Sequence, residues 1–313
     1  MLITVPDPDG KHALVLGAGG FVGRHLVRAL HAQGIPVIAA TRGSVTEWPV
    51  ETVSRVFNRP AHFAPLLARA RVVVHAASVS TPGQTAGRPL EELNGNLTPT
   101  LSLLAALQEA PHCDFLYLSS GGTLYGDTGE HPAREEDPIR PRSYYGAGKA
   151  AAEHFIHAYA MQFGRSATII RPGNLYGPGQ TQRTGFGIIP AAFECIRSGR
   201  PLTIWGDGRA ERDYLFIDDF VQLCLAIIAK HISQTPRVLN AATGRGVSLN
   251  NLIGALRDVT QRDLTVVYDS RRPVDVARIV LDPERAEREY GWVAETSLHD
   301  GLKQTWEWWR NRP

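Results

Sequence analysis

Short apolar runs recur along the first half of the chain: ALVLG at 13–17, PVIAA at 36–40, RVVVHAA at 71–77, FLYLSS at 115–120 and ATIIRP at 167–172. Each is too short for a typical helix and apolar at successive positions, which predicts strands buried on both faces. Between them the apolar positions step at helical spacing. In FVGRHLVRALHAQG, Val22, Leu26 and Leu30 share one face and Gly34 is placed to cap the C-terminus. Leu97 to Ala110 and Gly146 to Phe163 read the same way. Strands alternating with helices need crossover connections, so the pattern predicts an α/β fold with a doubly wound parallel sheet. Beyond about residue 175 the rhythm loosens, and Gly and Pro punctuate NLYGPGQTQRTGFGIIP, where substrate-binding insertions and a smaller C-terminal lobe are expected.

Composition narrows the function without naming it. The chain has 313 residues, 43% hydrophobic and 20% charged, with a formal charge of +2. That is ordinary globular chemistry with no strong field for nucleic acid or a membrane surface. The longest apolar runs fall far below the ~20 residues of a membrane span, and the N-terminus lacks the pattern of a signal segment, so a cytoplasmic protein is expected. Cys113, Cys195 and Cys224 are widely spaced and form neither a CxxC pair nor a disulfide framework. No metal site is expected.

Gly17, Gly20 and Gly23 form GxxGxxG directly after the first predicted strand and at the start of the first helix. Glycine there lets the backbone approach a pyrophosphate, and the helix N-terminus supplies free N–H groups and a positive dipole. A dinucleotide, NAD or NADP, is expected on a sheet of Rossmann type. The end of the second strand reads AATRG, with Thr41 and Arg42 where NAD-preferring sites carry a carboxylate. Arg42 either clamps a 2′-phosphate, which favours NADP, or is a solvated loop arginine.

Tyr145 and Lys149, in YYGAGK, lie four residues apart at the start of a predicted helix, on one face. A phenol near its reference pKa of ~10 exchanges protons poorly at neutral pH. A nearby ammonium favours the phenolate, and a lowering of ~3 units corresponds to about 4 kcal/mol, within reach of one cation plus a nicotinamide ring. Tyr145 is thus expected to exchange a proton with a substrate oxygen as hydride leaves or returns to the same carbon. Tyr144 is expected to point elsewhere.

The ordered series GAGGFVG, VVVHAAS, LSSGGTLYG, YYGAGK, RPGNLYGPG and RDYLFIDD resembles the extended short-chain dehydrogenase/reductases, specifically the NAD-dependent epimerase/dehydratase family acting on nucleotide sugars. The resemblance implies residues 1–175 as an NAD(P)-binding Rossmann domain and 176–313 as mainly a nucleotide-sugar lobe, with about 210–245 returning to the sheet. It implies cofactor contacts at Gly17, Gly20, Phe21, Val22, Gly23, His75, Ala76, Ala77, Asn96, Ser119, Lys149 and Pro172. Asn96 stands in NLTPT, where the family has NxxGT. Substrate contacts are implied at Gly121, Asn174 and Ile188, with Arg212 and Arg272 gripping the diphosphate by charge-assisted bonds. Asp218 and Asp219 read as helix N-caps. A homodimer through the YxxxK helix and the helix before it is also implied.

One departure concerns the third catalytic partner. The Ser or Thr that follows SS in UDP-galactose 4-epimerase-like relatives is Gly121 here. In an extended strand, residues 119, 121 and 123 face one side, so Thr123 would present its hydroxyl with the glycine making room, and Ser120 is the second candidate. Dehydration needs an acid and a base at the positions of Gly122 and Thr123, and neither residue serves. Three functions stay open: epimerisation at a sugar carbon, C4 of an NDP-hexose; NADPH-dependent reduction of an NDP-4-keto-6-deoxyhexose, supported by Arg42; and a non-catalytic dinucleotide sensor, suggested by Gly121.

Overall fold

The computed structural model describes residues 11–43, 48–81, 83–182, 187–230, 236–271 and 275–312. In chain order the strands are β1 (His12–Leu16), β2 (Val37–Thr41), β3 (Glu51–Ser54), β4 (Ala70–His75), β5 (Asp114–Leu118), β6 (Ala167–Pro172), β7 (Asn174–Tyr176), β8 (Leu202–Trp205), β9 (Glu211–Arg212), β10 (Tyr214–Phe216), β11 (Arg237–Ala241), β12 (Val247–Ser248), β13 (Val266–Asp269) and β14 (Arg278–Ile279). The α-helices are α1 (Phe21–Ala32), α2 (Ala64–Leu67), α3 (Pro89–Glu92), α4 (Thr98–Leu107), α5 (Gly121–Leu124), α6 (Tyr144–Phe163), α7 (Ile188–Ser198), α8 (Ile217–Ala229), α9 (Leu249–Thr260), α10 (Glu284–Tyr290) and α11 (Leu298–Arg310). A π-helical turn, Leu93–Leu97, joins α3 to α4.

Seven strands form one sheet in the order β11-β6-β5-β4-β1-β2-β3, every pair parallel. Alternation along the strands explains why it is buried on both sides. Ala13 and Val15 of β1, with Val72 and Val74 of β4, join one apolar layer. Leu14, Leu16 and Val73 join the opposite one. Each fully buried Val or Leu contributes about 1.5–3 kcal/mol, so a register slip would expose or clash residues on both faces. In α1, Leu26 and Leu30 are buried as expected, whereas Val22 is half-buried and turns toward a cavity. The cap is Gln33, and Gly34 lies one residue beyond with φ +75°.

The strand order reverses at β1/β4, which opens a crevice at the C-terminal edge of the sheet. β11, from the later part of the chain, closes the sheet beyond β6. Small sheets flank the crevice: β7 pairs with β10, β9 with β12 and β14, and β8 with β13. Asp218 and Asp219 are not caps. They occupy the first turn of α8, behind an N-cap at Phe216, where their charges complement the helix dipole. Among the described residues, no helix is long and apolar enough to cross a membrane.

Candidate active site

A cavity of about 1790 Å³ occupies the crevice. Sites for one drug-sized ligand run to about 1,000 Å³, so this volume suits two large ligands side by side. The glycine loop forms one end. Gly19, Gly20, Phe21 and Val22 line it, and Gly20, the N-cap of α1, is extended and offers no side-chain cap, so the first amides of the helix face the crevice. Gly17 and Gly23 act beneath the surface. A Cβ on Gly17, whose φ is +83°, would sit 2.6 Å from the Ala77 backbone, and one on Gly23 would strike the Gly17 carbonyl. They bring loop, helix and β4 into contact. A cradle that tolerates no Cβ, open at a helix N-terminus, fits a dinucleotide pyrophosphate.

The remaining cofactor candidates divide. Ala76, Ser119, Lys149 and Pro172 line the cavity with Phe21 and Val22. His75 does not. It ends β4 facing the sheet interior, where its Nε2 meets Thr100 Oγ1 at 3.1 Å and its ring packs edge-on against Tyr117. Burial and the Lys149 ammonium push its pKa down to about 3, so it stays neutral. Ala77 is the surface on which Gly17 packs. Asn96 lies behind the wall: its Oδ1 accepts from the Val79 amide at 2.9 Å and its Nδ2 donates to Ser80 and Glu92. It fixes the loop after β4. Arg42 is exposed just past β2 and is not among the cavity-lining residues.

The catalytic pair does share a wall. Ser143 caps α6 by accepting from the Gly146 amide at 3.1 Å, which fixes the helix start and sets Tyr145 and Lys149 one turn apart facing the cavity. Lys149 is buried and donates to the Leu118 carbonyl at 2.7 Å, at the end of β5. Burial lowers its pKa to about 8. Tyr145 differs from expectation, because burial pushes its phenol up to about 12 and only a hydrogen bond with Ser120 opposes that. The Lys149 ammonium is 5.9 Å from the Tyr145 ring centroid and closer, 4.7 Å, to that of Tyr117. At Tyr145 desolvation outweighs the groups that favour the phenolate. Tyr144, expected to point away, is exposed and also reaches the cavity wall.

The stretch after β5 also departs from expectation. The strand ends at Leu118, and Gly121–Leu124 turn into helix rather than continuing extended. Gly121 makes no room for substrate. A Cβ there would meet a Leu281 methyl and come within 3.1 Å of the Arg171 and Pro172 carbonyls, so the space beside it is already taken by protein, and Gly121 does not line the cavity. Its neighbour Gly122 does, leaving space for Asn174, whose Oδ1 a Cβ on Gly122 would approach to 2.9 Å. Ser120 touches Tyr145, while Thr123 lines the cavity with a buried hydroxyl that has no partner among the described residues.

At the far end, Asn174, Ile188 and Arg212 line the cavity as expected. Arg212 donates to the Glu211 and Val276 carbonyls at 2.7 and 3.1 Å, and burial lowers its pKa. A half-buried guanidinium held by carbonyls, with no ion pair among the described residues, is an unspent anion site. Arg272 lies outside the described residues. Sequence reasoning missed the loop after β4, from which Ser78, Ser80 and Thr81 line the cavity, and also Gln180 and Trp205. The signal was available: a loop leaving the switch point of a doubly wound sheet must border the crevice.

Beneath the site, Arg171 of β6 pairs with Glu153 of α6 at 2.6 Å, both buried. Tyr125 accepts from Arg171 at 2.7 Å and donates to Asn240 at 2.8 Å, tying α6, β6 and β11 together. All three cysteines have pKa values raised by burial, so none is an activated thiolate. Among the described residues no His/Cys/Asp/Glu cluster has the form of a metal site.

A glycine cradle at a sheet switch point, with a tyrosine and lysine one helical turn apart across from it, defines a dinucleotide-dependent oxidoreductase-type enzyme of Rossmann fold. The chain belongs to the NAD dependent epimerase/dehydratase family, which it matches over residues 13–242. It is 29% identical over 312 residues to a UDP-glucose 4-epimerase of Mycolicibacterium smegmatis, covering 96% of this chain and 98% of the relative. It is 29% identical over 323 residues to a dTDP-4-dehydro-6-deoxy-D-allose reductase of a Streptomyces species, covering 96% and 97%. The fold superposes with a TM-score of 0.90 on a UDP-glucose 4-epimerase of Thermotoga maritima solved with UDP-glucose, at 29% identity and 96% and 98% coverage. With the Thermus thermophilus UDP-glucose 4-epimerase solved with NAD, the TM-score is 0.89 at 26% identity, over 96% and 99%.

Proposed function

We propose that the protein is a nucleotide-sugar epimerase that inverts a sugar carbon, C4 of an NDP-hexose, by reversible hydride transfer. The observation that carries this reading is one continuous cavity, with the glycine cradle at one end, Arg212 at the other and Tyr145 between them. The glycine cradle and the first amides of α1 would hold NAD(P), which would supply a reversible hydride acceptor and, when oxidised, a positive charge in the crevice that Tyr145 lines. Tyr145 takes the proton from the sugar oxygen and gives it back, Ser120 holds the phenol, and Lys149 keeps the local field positive. Thr123 and Asn174 orient the sugar, and Arg212, with Arg272, binds the diphosphate. In an epimerase the sugar turns over between the two transfers, which a cavity of this volume leaves room for. The relatives solved with UDP-glucose and with NAD support a UDP-sugar and NAD.

A second reading is NADPH-dependent reduction of a 4-keto sugar. It is favoured by Thr41 and Arg42 at the end of β2, where no carboxylate meets a ribose 2′-hydroxyl, and by the reductase relative. The two separate in one assay. Purified protein is incubated with UDP-, dTDP- and GDP-hexoses, and with an NDP-4-keto-6-deoxyhexose plus NADPH, while absorbance at 340 nm is followed and sugars are resolved by chromatography. Epimer formation without net absorbance change is expected; stoichiometric loss of NADPH overturns epimerisation in favour of reduction. We also infer a homodimer through α4 and α6, supported by exposed Leu90, Leu93, Phe155 and Met161 on α3, the π-helical turn and α6. Light scattering tests it: a dimer is expected, and a monomer at micromolar concentration removes it.

A further inference from the structure

One buried charge beside the catalytic helix has no part in the chemistry described so far. Glu92 closes α3 and is 3% exposed. Its Oε2 accepts from the Ser80 hydroxyl at 2.6 Å and its Oε1 from the Asn96 amide at 2.8 Å, while that amide also donates to Ser80 Oγ at 2.6 Å. The three side chains close a ring that leaves the carboxylate one place to lie, against α6 at Gly148. A Cβ on Gly148 would stand 2.6 Å from Glu92 Oε1 and 2.8 Å from its Cγ. Gly148 falls between Tyr145 and Lys149, so the missing side chain lets a carboxylate settle against the working turn of the helix.

Two neutral donors do not balance a buried anion, and a buried ammonium without a counter-charge tends to give up its proton. Lys149 is such an ammonium. It is 4% exposed and, among the described residues, makes no direct ion pair. We propose that the Glu92 carboxylate, locked by Ser80 and Asn96 into the gap left by Gly148, is the counter-charge that keeps Lys149 protonated and so sets the upper pH limit of catalysis. Glu92 is a positioning residue on this reading, acting through Lys149 and touching neither substrate nor cofactor.

The other groups around Lys149 do not fill that role. From β5, Tyr117 is a phenol that burial keeps protonated. From β4, His75 is neutral. From α6 itself, Tyr145 is a neutral phenol in the resting protein, and Glu153 is held by Arg171 of β6 through Oε2 at 2.6 Å and both oxygens at 3.1 Å, so its charge is already matched. Of the influences that raise the Lys149 pKa against burial, Glu92 is the largest, ahead of Glu153. The same carboxylate disfavours the Tyr145 phenolate, but there it ranks behind both burial and the Ser120 bond.

The chain has only four lysines, so protein labelled with [13Cε]lysine gives a spectrum in which Lys149 is assigned by its loss in Lys149→Arg. In the cofactor-stripped wild type the Lys149 signal is expected to titrate with a midpoint of about 8. In Glu92→Gln the midpoint falls by more than about one pH unit, Glu92→Asp restores most of it, and Lys11, Lys230 and Lys303 do not move. In turnover, the alkaline limb of the kcat profile moves down with the midpoint. A folded Glu92→Gln whose Lys149 midpoint is unchanged overturns the proposal. Glu92→Met, of similar length without a buried amide, is read by the same criterion if the glutamine variant does not fold. A wild-type midpoint near 10, or below 6.5, overturns it without any variant. The catalytic clause rests on the epimerase reading, yet the titration does not: absence of turnover on every sugar would remove that reading and leave the Glu92–Lys149 coupling standing.

Discussion

The two ends of the cavity are built by different means. At the dinucleotide end the work is done by backbone: Gly17 and Gly23 are there because a Cβ would collide, and the ligand-facing groups are amides of α1. At the end proposed for the sugar it is done by side chains from distant segments, with Ser120, Thr123, Asn174 and Arg212 drawn from α5 and its cap, β7 and β9. Backbone geometry belongs to the fold and tolerates no substitution; side chains on a fixed frame can change while the frame persists. A ligand held by the backbone cradle is therefore fixed by the fold, whereas one held by side chains can differ among proteins that share it.

Tyr145→Phe breaks the sugar end alone and has the largest expected effect. Turnover should fall by about 10³-fold with cofactor binding largely intact, since only the proton carrier is lost. Steady-state kinetics beside fluorescence titration of the dinucleotide checks this, and full activity in the variant removes Tyr145 from its role. Gly23→Ala breaks the other end. Its Cβ meets the Gly17 carbonyl, so dinucleotide affinity should collapse and stability drop by about 1–3 kcal/mol, read by urea unfolding. Gly121→Ser sharpens the contrast. It restores the hydroxyl that relatives carry, but in a position packed against Leu281 and two carbonyls, so it should destabilise by about 1–3 kcal/mol without raising kcat. Arg42→Ala should have the smallest effect. If Arg42 meets a 2′-phosphate, NADP affinity falls about tenfold with NAD affinity unchanged; equal affinities before and after remove that role.

Local signals were legible in the sequence. The β-branched runs gave five of the seven strands of the main sheet, and GxxGxxG and YxxxK sit where their spacing predicts, because each depends on neighbours within one or two turns. What escaped depends on contacts across the chain. The end of β5 looked extended because Ser119 to Thr123 carries no helical pattern, yet the chain turns into α5 at Gly121, where Leu281, 160 residues away, packs against it. Asn96 was placed among the cofactor contacts through its resemblance to the NxxGT motif; what the sequence does not show is that its amide donates to Ser80 and Glu92. Glu92 carries no signal of its own in the sequence, and only the packing of α3 on α6 reveals what it faces. The Tyr145 phenol was expected to be lowered by its lysine together with a nicotinamide ring; desolvation, which sequence spacing does not report, pushes it up in the protein alone.

The central claim is that hydride leaves and returns to the same sugar carbon while Tyr145 carries the proton. UDP-glucose bearing deuterium at C4, incubated with the protein and catalytic NAD, tests it most directly. The account predicts UDP-galactose with the deuterium still on C4, no net change at 340 nm, and no such product from Tyr145→Phe. Epimer that has exchanged its C4 deuterium for solvent hydrogen, or product formed equally by the phenylalanine variant, would contradict it.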